Sequence, residues 1–156
     1  MGWLPAITAG QAAAVSVATS VIGARQASAN GKFNEDVANR NATIKEQEVA
    51  AIEAKKELDL AKFNKQFEVL EGEVITNIST SGAELSGSGM RVMRYNAEQA
   101  ELEKDMIAYN AQVNKSRAYE EANFARIQGK IAKQNAKMTE LSYYSKAGET
   151  LLKTYG

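Results

Sequence analysis

Apolar positions recur at helical spacing on both sides of one glycine–serine stretch. Before it, Leu60, Phe63, Phe67, Leu70, Val74 and Ile78 step by three and four, preceded more loosely by Val37, Ala38, Ile44, Val49 and Ile52. After it, Leu102, Met106, Tyr109 and Val113 step four, three, four; Phe124 follows eleven residues on, then Ile127, Ile131, Met138 and Leu141. Such steps line one face of an α-helix. The stretch between, residues 79–90, holds Gly82, Gly87 and Gly89 among four serines. Clustered Gly and Ser mark a bend, with the glycines as its hinge. The pattern predicts an all-α chain: a long antiparallel helical hairpin, coiled-coil-like, with helices over 33–78 and 91–141 whose stripes close on each other. At ~1.5 Å of rise per residue the first helix would make a rod of about 70 Å.

Two features disturb the hairpin. The eleven-residue step from Val113 to Phe124 is a stutter that relaxes left-handed supercoiling. Lys115, Ser116, Arg117, Glu120 and Glu121 occupy it, so the seam is expected to be weakest there. Gly129 falls inside the second helix and would cost about 1 kcal/mol relative to Ala.

Ahead of the hairpin, residues 2–24 carry no charge. Trp3, Leu4, Ile7, Val15, Val17, Val21 and Ile22 sit among Ala, Gly, Ser and Thr, and Ala6, Gly10, Ala14 and Ala18 recur every four residues. That spacing suits close helix contact, in lipid or within a protein assembly. The length matches the ~20 residues that span a bilayer, although the hydrophobicity is modest for a lone span. Ala27-Ser28-Ala29 resembles a signal-peptidase site, but no basic residue precedes Arg25, so the n-region is missing. Asn30-Gly31 reads as a turn. The chain thus divides into an apolar helical segment over 1–29, the hairpin over 30–142 and a tail over 143–156. Gly148 is expected to part the tail from the hairpin. Tyr143, Tyr144, Leu151, Leu152 and Tyr155 in the tail are candidates for contact with a neighbour.

Composition narrows the chemistry. The 156 residues include no Cys and no His, which removes disulfides, thiolate metal sites and the commonest general base. The single proline is Pro5, so the rest is free of the strongest helix breaker. Nineteen basic residues balance nineteen acidic ones, and no net field draws the chain to nucleic acid. No glycine-rich loop follows a strand or ends in Gly-Lys-Ser/Thr. Ser86 and Ser88 lack a histidine partner. Glu120 and Glu121 are adjacent, hence on different helix faces. Arg91 and Arg94 form a small basic patch that would meet phosphate or acidic side chains, or else lie solvated on a first turn. No catalytic, cofactor or metal site emerges. A hairpin that buries one stripe per helix leaves apolar surface over, so an oligomer is expected.

Met1-Gly2-Trp3 leading through an Ala-rich helix to Gln26-Ala27 resembles the start of the smaller internal virion (ejection) proteins of short-tailed phages. Residues 82–92, Gly-Ala-Glu-Leu-Ser-Gly-Ser-Gly-Met-Arg-Val, are similar to that family's glycine-rich turn before its second long helix. Ala97-Glu98-Gln99-Ala100 and Met106-Ile107-Ala108-Tyr109-Asn110 continue the likeness. The resemblance implies a non-enzymatic protein stored inside the virion near the portal, with other core proteins. On infection it would leave through the tail and help build a channel across the host envelope, viral DNA passing through without sequence recognition; the oligomer expected from the leftover apolar surface is a ring of its own copies. Trp3, Leu4, Ala6, Ile7, Gly10, Ala14, Ala18, Val21 and Ile22 would be its membrane or assembly segment. The family's second Ala/Gly/Ser-rich apolar segment has no counterpart before Gly156. Two other readings use the same residues: a helical-hairpin scaffold that never enters a membrane, and a secreted pore-forming or translocator protein.

Overall fold

A computed structural model describes residues 9–82 and 87–155. They form two helices, α1 over Ala9–Thr80 and α2 over Ser88–Tyr155, joined as a hairpin, and the described residues include no strand. With Pro5 the only proline, nothing within α1 or α2 removes a ladder donor. Ser and Thr are accommodated by turning their hydroxyls onto the preceding turn: Thr43, Thr76, Thr139 and Thr154 each donate to the carbonyl four residues back.

The hairpin bends where the glycines cluster. The Ser81 amide donates to the Asn77 carbonyl, and Gly82 follows in the left-handed region at φ 68°. Such a residue ends a helix at no steric cost when it is glycine. Gly87, at φ 67°, opens α2, its carbonyl accepting from the Arg91 amide. Gly89 lies within α2 and is half-buried; of the three expected hinge glycines, two carry the bend.

Both helices are longer than the sequence pattern predicts. α1 runs unbroken through Asn30-Gly31, and α2 runs through Gly148 into the tail. At Gly31 packing overrides the turn signal. Gly31 is buried against α2, where a Cβ would overlap that of Ala136. Glycine stands here for closeness rather than for a turn.

Contacts gather into two units, the described parts of Met1–Thr43 with Ala122–Gly156, and Ile44–Glu121. In the first, Ala13, Ala24, Ala42, Ala122 and Ala147 are buried, with Gly31 and Gly129 buried among them. A Cβ on Gly129 would lie 2.8 Å from that of Ala38. Glu35 closes the edge by accepting from Lys133 at 2.8 Å. In the second unit Val49, Ala100, Ala111 and Ala118 are buried. Towards the bend α1 contributes the half-buried Leu60, Phe63, Phe67, Val74 and Ile78. The rings of Phe63 and Phe67 stack at 6.4 Å. Lys45–Glu121 and Lys115–Glu53, at 2.9 and 2.8 Å, tie the helices in register.

Candidate assembly interface

α2 has two apolar faces, and the hairpin closes on the one built of small residues. The buried hydrophobic residues described are alanines and one valine, and no large side chain is fully buried. Alanine and glycine let two backbones approach closely enough for many weak contacts, but each removes little apolar surface from water.

Most large apolar residues of α2 face outward, Met93, Ile107 and Tyr143 being half-buried exceptions. Leu102, Met106, Tyr109 and Val113 in one unit, and Phe124, Ile127, Ile131, Met138 and Leu141 in the other, are 36 to 69% exposed. Their placement follows from the seam. Tyr109 and Val113 stand two positions from Ala111, Phe124 two from Ala122, Ile127 and Ile131 two from Gly129, and Met138 two from Ala136. Two positions are ~200° of helical turn, so burying the small residue exposes the large one. The expected closure of matching stripes is therefore corrected. The α1 stripe near the bend packs inward except at Leu70, and the α2 stripe is left 36 to 69% exposed. α1 has its own weaker outer row, with Val15 two from Ala13, Ile22 two from Ala24 and Phe33 two from Gly31, all three exposed.

The other sequence-predicted residues scatter over this frame. Trp3, Leu4, Ala6 and Ile7 lie outside the described residues, and of Tyr155 only the backbone is described. Gly10 and Val21 are half-buried, whereas Ala14, Ala18 and Ile22 are exposed. A repeat of four drifts off the contact face of a 3.6-residue helix. The seam instead uses Gly10, Ala13, Val17, Ser20 and Ala24, alternating three and four. No helix among the described residues is long and apolar enough to cross a membrane. Arg91, Arg94, Tyr144, Leu151 and Leu152 are exposed. Tyr143 is not free for a neighbour in this way. Its ring lies on α1, 2.9 Å from where a Gly23 Cβ would stand, with the Lys146 ammonium 6.0 Å from the ring centre.

Polar groups cluster at the seam edge of the Ile44–Glu121 unit. Lys45, Glu48, Lys55, Lys56, Asp59, Arg117 and Glu121 line an open groove of about 490 Å³. Beside it Glu53 accepts from both Lys115 and Lys56. The hydrogen bond from Lys115, then that from Lys56, lowers the Glu53 carboxyl to about 2, and Lys115 is raised in return. Lys115–Glu53 and Lys45–Glu121 join α1 to α2 across the edge of the seam. Among the described residues no three metal-capable side chains converge and no buried side-chain polar atom lacks a partner.

The alanine seam is what sequence reasoning missed. Its signal was present: Ala111, Ala118, Ala122, Ala125, Gly129, Ala132 and Ala136 step by sevens, fours and threes. Alanine is weakly apolar, so larger residues two positions away dominate any reading of periodicity. Compared with known protein families, curated proteins and solved structures, the chain matches none.

Proposed function

We propose that this chain is a non-enzymatic assembly subunit whose outer α2 face is covered in a larger helical structure. One observation carries the reading: the large apolar stripe of α2, from Leu102 to Leu141, is left exposed while a row of small residues meets α1. Exposed apolar patches of several large side chains mark interaction sites in soluble proteins. The likeness to smaller internal virion proteins of short-tailed phages supports siting that structure inside a capsid, beside the portal and other core proteins. Delivery of the genome across the host envelope is the process such a subunit would serve.

The test is packaging. With the chain expressed from its native genome, purified DNA-filled particles should contain it. Ile127→Lys and Met138→Lys should be absent from those particles while remaining helical by circular dichroism. Wild-type chain missing from particles, or both variants packaged at the wild-type level, would refute the reading.

A further inference from the structure

The outer face of α2 is edged by opposite charges in the two units. Glu101 and Asp105 each immediately precede a stripe residue, Leu102 and Met106. Lys130 and Lys137 immediately precede Ile131 and Met138. One position is ~100° of turn, so all four lie along the same edge of their stripes, acidic in one unit and basic in the other. Glu98, seven residues before Asp105, continues the acidic edge, and Lys130 and Lys137 are also seven apart. Glu98, Asp105, Lys130 and Lys137 are all exposed, and none makes an ion pair among the described residues. The opposite edge carries amides at Asn110, Gln128 and Asn135.

We propose that a second copy of the chain docks antiparallel on this face, its Lys130 and Lys137 against Asp105 and Glu98 of the first. The inference rests on the chain being an assembly subunit. Two identical helices packed face to face and antiparallel bring the same edge of each together, and a parallel pair brings opposite edges together. Only the antiparallel arrangement sets acidic edge against basic edge, and the equal spacing of seven matches them pair for pair. Opposed charges at the flanks of an apolar helix seam select partner and orientation. The stripe supplies the area. Its four side chains in one unit and five in the other, each at least one-third exposed, offer at about 100 Å² each roughly 900 Å² per copy, against the ~800 Å² per partner of a standard interface.

The chain has no cysteine, so introduced thiols report position cleanly. Asp105→Cys and Lys130→Cys copies, mixed and oxidised, should give disulfide-linked dimers, and neither should do so alone. Separately, the double variant Lys130→Glu/Lys137→Glu should self-associate roughly tenfold or more weakly in sedimentation, since several flank pairs become repulsive. Adding the double variant Glu98→Lys/Asp105→Lys should restore dimers, because every flank pair is then opposed again. Asp105→Cys linking to itself as readily as to Lys130→Cys would overturn the antiparallel pairing. A wild-type chain that sediments as a monomer and gives no mixed disulfide would overturn self-docking. Packaging of such a monomer would leave the assembly reading standing, and a dimer that is never packaged would defeat that reading alone.

Discussion

Gly31 carries a hydrogen where any other residue would place a carbon on the Ala136 Cβ. Around Gly72 and Gly148, nothing lies within 4 Å of the same position. Identical residue types in helix interiors should therefore respond with opposite sign. Gly72→Ala and Gly148→Ala are expected to stabilise the chain by about 0.5–1 kcal/mol each, from reduced backbone entropy in the unfolded state. Gly31→Ala must part the helices and is expected to cost about 1–3 kcal/mol. Urea unfolding of the three variants measures both signs. Asn30-Gly31 shows why residue-scale reading stopped short: a dipeptide reports its local preference, and only the facing helix reveals that the glycine is there for lack of bulk. A second prediction concerns Glu53, held at about 2 by Lys115 and Lys56. A carboxyl lowered in the folded state binds its proton less readily there than in the unfolded chain. Its contribution is whole above the ordinary value of 4.5, shrinks as pH falls, and is gone near 2. The melting-temperature gap between wild type and Glu53→Gln should close across that window. Added salt should narrow it at neutral pH, because the pair is partly exposed.

Across a whole helix, the two faces of α2 differ: the small-residue face meets α1 and the large-residue face stays exposed. The hairpin and its bend were legible, because large apolar residues at threes and fours on each side of clustered glycines specify two helices and one turn. Which face of α2 meets α1 was not. Periodicity gives the angle between two faces and leaves their destinations open. The choice fell to the alanine row, which allows close approach and places Lys115 within reach of Glu53. Stability and association should separate accordingly. Ala118→Leu inserts volume into a buried position and is expected to destabilise the chain by about 1–3 kcal/mol. Tyr109→Ala, at the most exposed stripe position of its unit, should change the unfolding free energy of dilute chain by less than about 0.5 kcal/mol. Denaturation run at low and high protein concentration would show the difference. Tyr109→Ala should lose only the stabilisation that grows with concentration.

For the molecule as a whole, zero net charge conceals a segregation. The unit formed by Met1–Thr43 and Ala122–Gly156 holds nine basic and four acidic residues, a net of five positive. The unit Ile44–Glu121 holds ten basic and fifteen acidic, a net of five negative. The residues are all visible in the sequence. The division is not, because the positive unit joins the first part of α1 to the last part of α2, and the boundary exists only once α2 folds back on α1. A chain of this kind exerts little field at long range and a strong one on another copy at close range. Copies attract where a basic unit meets an acidic one and repel where like meets like. Salt separates this field from the apolar contact beneath it. Raising ionic strength from ~0.05 to ~0.5 M shortens the screening length from about 14 to about 4 Å and should weaken wild-type self-association progressively. The apolar stripe is not screened, so a residual dimer should persist at high salt in wild type. Ile127→Lys should lose it, since the charge enters the stripe itself. Sedimentation across the salt series decides the matter. Association that does not change with salt would assign the contact to the stripe alone, and the charge segregation would then have no part in choosing the partner.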